Sequence, residues 1–113
     1  MLHHIAIATE NLLEMAEFYS HLPIVLRTEW KFDASNEKRS FWIFLEDELI
    51  LMLEKRSYSK FPEALIFKIQ KEKNYSYLLQ LSKEKTEFSF YFTDPDGNKL
   101  GFSSYPTPLK EIL

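Results

Sequence analysis

The stretch Phe92-Thr93-Asp94-Pro95-Asp96-Gly97-Asn98-Lys99-Leu100-Gly101-Phe102 decides how this chain folds. Before the turn formers, Phe88, Phe90 and Phe92 alternate with Ser89, Tyr91 and Thr93. After them, Leu100 and Phe102 alternate with Lys99, Gly101 and Ser103. Two period-2 runs around a turn cluster define a β-hairpin. Pro95 sets φ early in the turn, and Asp96-Gly97-Asn98 supplies residues that tolerate positive φ.

Working back from the hairpin, Asn74 can cap a helix over about 75–83, with Tyr75, Leu78, Leu79 and Ser82 as its stripe. Ala64 to Gln70 reads as a strand before it. Only Lys83-Glu84-Lys85-Thr86 separates helix from hairpin, so the expected strand there is absent or a stub. The first half carries the fuller version of this order. Residues 2–8 read as a strand with His4, Ala6 and Ala8 on one face and His3, Ile5 and Ile7 on the other. Asn11 and Glu14 form a capping-box pattern ahead of Leu12, Met15, Ala16 and Tyr19, spaced as one helical face over about 11–20. Pro23 ends that helix. Strands follow at 25–32, Ser40 to Leu45 and Leu49 to Lys55, with Glu46-Asp47-Glu48 as a turn. The expected organisation is one domain over 1–113: a first module at 2–55, a linker at 56–63 and a shortened second module at 64–105.

Composition narrows the function classes. The 113 residues are 45% hydrophobic and 16% aromatic, with ten Phe and six Tyr, well outside the disordered range. A net charge of −3 with both signs interspersed gives no basic face for nucleic acid. The absence of Cys removes disulfides, thiolate nucleophiles and Cys-ligated zinc. Apolar runs such as Leu49 to Leu53 are too short to span a bilayer. No basic-then-apolar leader opens the sequence, so no membrane association and a cytoplasmic location are expected. Two Gly, both in the final hairpin, leave no glycine-rich phosphate loop.

With the order in place, the chain resembles the glyoxalase/bleomycin-resistance/dioxygenase superfamily, the vicinal oxygen chelate proteins. The resemblance rests on His4-Ile5-Ala6-Ile7 followed by Asn11-Leu12 and Phe18-Tyr19, on the strand leading into Asp94-Pro95-Asp96-Gly97-Asn98, and on the duplicated module order. It implies an α+β fold of two βαβββ modules, the second abbreviated, in a curled mixed sheet around a central cavity. It also implies a homodimer. Many members hold a divalent metal through ligands on the first and last strands of each module, which acts as a Lewis acid.

Carried over position by position, the resemblance implies His4 as a ligand but meets leucine at Leu51, alanine at Ala64 and glycine at Gly101. Glu54 is near Leu51 yet out of phase with it. No cofactor is therefore expected, and no catalytic residue is assigned. The favoured reading is a metal-independent protein that binds a small aromatic or amphipathic molecule. Its cavity residues would be Trp30, Phe41, Trp42, Leu51, Lys68, Lys99 and Gly101. Lys68 and Lys99 would favour an anionic ligand if they face the cavity, although solvated lysines on an open sheet explain them as well. The alternative is a metal-dependent lyase, isomerase or dioxygenase with a reorganised site using His4 and Glu54.

Overall fold

A computed structural model describes residues 2–113 of the chain. The element order is β1 (Ile5–Thr9), α1 (Leu12–Ser20), β2 (Val25–Phe32), β3 (Lys38–Leu45) and β4 (Ile50–Lys55), then β5 (Leu65–Lys68), α2 (Ser76–Leu81), β6 (Glu84–Lys85), β7 (Ser89–Thr93) and β8 (Lys99–Ser103). The strands form two four-stranded mixed sheets, ordered β1-β4-β3-β2 and β5-β8-β7-β6. Neither is closed into a barrel. Each sheet pairs its first and last strands in parallel and the others antiparallel. The chain is thus α+β with a repeated βαβββ order. It separates into two compact units, one ending at Phe61 and the other beginning at Pro62.

In the first unit the helical stripe is what the spacing predicts: Leu12, Met15, Ala16 and Tyr19 are the buried residues of α1. They cover the sheet face built by Ile7, Phe41, Ile43, Leu45, Leu51 and Leu53, all buried. Each large apolar side chain so buried contributes roughly 1.5–3 kcal/mol. Asn11 is the N-cap, but its side chain makes no capping hydrogen bond. Instead its backbone N–H donates to the Thr9 hydroxyl at 2.9 Å, which fixes the bend from β1 into the helix. The β3–β4 connection is a tight turn in which Asp47 and Glu48 have φ of 63° and 62°. Positive φ at both central residues matches the right-handed twist of the flanking strands.

The second unit repeats this plan with a more aromatic core. Phe67, Tyr75, Phe90 and Phe92 surround the fully buried Phe102, with ring centroids 4.9–6.1 Å away. Tyr75, not Asn74, is the N-cap of α2, and its hydroxyl accepts a bond from the Gln70 N–H at 2.9 Å. The helix is shorter than the expected 75–83 because Ser82 already has extended backbone. The missing strand survives as the two-residue stub β6.

The final hairpin is organised by one carboxylate. Asp94, 4% exposed, accepts bonds from the backbone N–H groups of Asp96 and Asn98 and from the Asn98 side-chain amide, all within 2.8–2.9 Å. Gly97 takes the left-handed position at φ 84°. Among the described residues, no helix is long and apolar enough to cross a membrane.

Candidate functional site

Strand register divides each sheet into a face packed on its helix and a face turned the other way. Residues paired across neighbouring strands point to the same side. In the first sheet, Ala6, Met52, Trp42 and Glu29 form one cross-strand row, and Ala8, Glu54, Ser40 and Lys31 form the next. The third row is Ile50, Phe44 and Arg27. His4 precedes β1, outside its register, and reaches this face through its ring contact with Trp42. This three-row face lies opposite the one covered by α1.

Aromatic side chains cross its centre. The Trp42 ring lies 5.1 Å from that of His4, and 6.4 Å from that of Phe44 at an interplanar angle of 27°. The Arg27 guanidinium caps the run, 3.6 Å from the Phe44 ring centroid. Trp42, Phe44, Met52 and His4 are half-buried, and alanines at the β1 end leave space beside them. The outer strand is charged. Glu29 bonds Lys31 at 3.2 Å and stands 3.6 Å from Arg27. The Lys31 hydrogen bond, with the two positive charges, holds the Glu29 carboxyl below the ordinary carboxylate value.

Two polar groups stand at the other end of the face. Glu54, three-quarters buried, accepts from Arg56 at 2.9 Å. Beside it, Ser40 is 1% exposed and its hydroxyl has no hydrogen-bond partner. A buried hydroxyl without a partner costs about 1–3 kcal/mol.

The expected site residues are only partly brought together. His4 and Trp42 meet. Glu54 shares the face of Trp42, but register puts it beside Ala8 and Ser40, in the row next to that of Trp42. Leu51 and Phe41 lie in the core, on the α1 side, so neither is a wall of this face. Leu51 pairs with Ile5, which is why Glu54, out of phase with Leu51, falls on the side of His4. Trp30 also belongs to the core side, its ring 4.5 Å from Phe41, with the Lys38 ammonium 4.5 Å from it. His3, expected opposite His4, has its Nδ1 2.9 Å from that of His4, because both precede the start of β1 and escape its alternation. Ser40, Phe44, Met52 and Arg27 were not foreseen. Alternation about Trp42 points to Ser40 and Phe44, since adjacent residues such as Phe41 and Trp42 cannot share a strand face.

Lys68, Lys99 and Gly101 fall together on the open face of the second sheet. There the Tyr91 ring lies across Gly101: a Cβ at Gly101 would stand 2.6 Å from Tyr91 Cδ1 and 2.9 Å from the Phe90 carbonyl oxygen. Lys99 covers the same ring at 4.3 Å and pairs with Glu84 at 3.2 Å. A carboxylate at position 101 has no room.

A separate open groove of about 520 Å³ lies at the N-terminal end of α1, lined by Leu13, Phe32, Lys38 and Lys55 among others. It contains none of the expected site residues.

No family model matches the sequence, and no curated protein sequence does either. Solved structures do match. The oxidase ChaP-H2 superposes with a TM-score of 0.69 at 13% identity, covering 95% of this chain and 94% of that one. A glyoxalase/dioxygenase from Nostoc punctiforme gives 0.63 at 17% identity, covering 90% and 88%. A mutant of the fosfomycin resistance protein FosX from Listeria monocytogenes, complexed with Mn(II) and 1S,2S-dihydroxypropylphosphonic acid, gives 0.60 at 17% identity, covering 100% and 94%. At such identities the likeness is one of fold. The chain has the vicinal oxygen chelate fold.

That fold raises the question of a metal, and the residues present do not fit one. Among the described residues, no group of three or more His, Asp or Glu is placed to hold a metal ion. His4 stands beside His3 and Trp42, and the corresponding face of the second sheet carries Ile66, Tyr91 and Gly101.

Proposed function

We propose that the protein binds a small planar, ring-containing molecule on the open face of its first sheet, without a metal ion. The observation that supports this most directly is the aromatic run His4–Trp42–Phe44 under the Arg27 cap. Offset stacking on such rings contributes about 0.5–1.5 kcal/mol beyond the area buried. Half-buried aromatics with a few polar groups are the usual lining of small-molecule sites. This reading assigns no catalytic residue.

The two tryptophans make the test simple. In a 1H–15N spectrum, 2-methylnaphthalene is expected to shift the Trp42 indole resonance and to leave that of Trp30 in place. A Trp42→Ala variant should lose the binding. Near-stoichiometric divalent metal in protein purified without chelator, lost in His4→Ala, would replace this reading with the metal-dependent lyase, isomerase or dioxygenase. The homodimer implied by the family resemblance is carried as part of the proposal, and sedimentation velocity tests it.

A further inference from the structure

We infer that the molecule bound at Trp42 carries an N–H or O–H donor on its ring, read by Ser40 and Glu54. This rests on the stacking reading and adds a ligand class to it: a phenol or an aryl amine. The geometry has three parts. Ser40 and Trp42 are two residues apart on β3 and point to the same face, so their Cα atoms are about 6.6 Å apart. A substituent on a ring lying over the indole therefore comes to the Ser40 row. Ser40 and Glu54 are directly paired across β3 and β4, so their side chains flank one point. The third member on the β4 side of that row is Ala8, half-buried, whose side chain ends at a methyl.

The chemistry at that point is that of an acceptor pair. The Ser40 hydroxyl is buried and has no partner within the chain. The Glu54 carboxylate is acceptor-only when ionised, and Arg56 engages its Oε1. A ligand N–H or O–H can donate to either oxygen, while a purely apolar ring leaves the Ser40 hydroxyl as it stands in the free chain, without a partner. Because that hydroxyl is already unpaired in the free chain, selectivity comes from the hydrogen bond that a donor-bearing ligand gains there. Lys31 is the outer-strand member of this same row, paired directly with Ser40, and its ammonium is engaged by Glu29 at 3.2 Å, while Arg56 is engaged by Glu54 on the β4 side.

The test uses three probes of one ring shape on the full chain: 2-naphthol, 2-methoxynaphthalene and 2-methylnaphthalene, each followed at the Trp42 indole resonance. 2-Naphthol should bind about fivefold to tenfold more tightly than the other two. Ser40→Ala should remove that preference while leaving 2-methylnaphthalene affinity unchanged, with thermal melting confirming that the variant is folded. Equal affinity for 2-naphthol and 2-methylnaphthalene in the unmodified protein overturns the inference, whatever Ser40→Ala does. So does 2-methoxynaphthalene binding as well as 2-naphthol, which would make Ser40 a donor to the ligand. If none of the three moves the Trp42 resonance, it is the stacking reading that falls.

Discussion

Replacing Gly101 by alanine tests the account of why this fold lacks a carboxylate on β8. Gly101 does not have positive φ; Gly97 is the glycine that does. Its requirement is therefore space, not backbone freedom. Alanine in a strand ordinarily stabilises relative to glycine by roughly 0.5–1 kcal/mol. Here the new methyl meets Tyr91 Cδ1 at 2.6 Å and the Phe90 carbonyl oxygen at 2.9 Å. Ordinary carbon contacts begin near 3.5 Å, so ring or strand must give by up to about 1 Å. Overpacking of this kind costs about 1–3 kcal/mol, which outweighs the backbone gain. Chemical denaturation should show Gly101→Ala destabilised by about 1–2 kcal/mol, a fall in melting temperature of roughly 3–8 °C for a chain of this size. In a Tyr91→Ala background the same substitution should cost about 1 kcal/mol less, because the ring has gone and only the Phe90 carbonyl remains. A neutral or stabilising Gly101→Ala would refute the close approach. An equal cost in both backgrounds would refute the share given to Tyr91.

Three further outcomes follow from single interactions. Asp94→Ala removes the acceptor of two backbone N–H groups and the Asn98 amide, and should cost about 2 kcal/mol, seen as a melting temperature lower by roughly 6–10 °C. The double change Asp47→Asn with Glu48→Gly gives the β3–β4 turn residues suited to positive φ and should stabilise by about 1 kcal/mol in urea titration. Because the Glu29 carboxyl titrates below its ordinary value, its ion pairs contribute above the unfolded carboxylate range and are lost as pH falls through the folded value. A carbon-detected titration should show the Glu29 midpoint rise in Lys31→Ala; an unchanged midpoint would remove Lys31 as the cause.

Periodicity made the fold legible in the sequence. Leu12, Met15, Ala16 and Tyr19 pack where helical spacing puts them, and the Asp94 turn sits where its chemistry requires. The even spacing of Phe88, Phe90 and Phe92 gave the hairpin its direction, and β6 is the stub that the short segment after α2 allows. The site was less legible because a face depends on which strands pair. The resemblance puts Leu51 at a ligand position alongside His4, yet the parallel β1–β4 register aligns it with Ile5 and turns it into the core. His3 misled for a related reason, since alternation stops where the strand stops. Phe41 and Trp42 could have been separated by alternation alone. Alternation puts Ser40 on the face of Trp42, but burial without a partner is a property of packing that serine at a strand position does not announce.

The central claim is ring binding at Trp42 without a metal, and one measurement meets it directly. Protein dialysed against excess EDTA and then into chelator-free buffer is titrated with 2-naphthol while both tryptophan indole resonances are followed. The account predicts a saturable shift of the Trp42 resonance, little change at Trp30, and the same affinity after equimolar Mn(II) or Zn(II) is added. A Trp42 resonance that responds only once metal is present would contradict it.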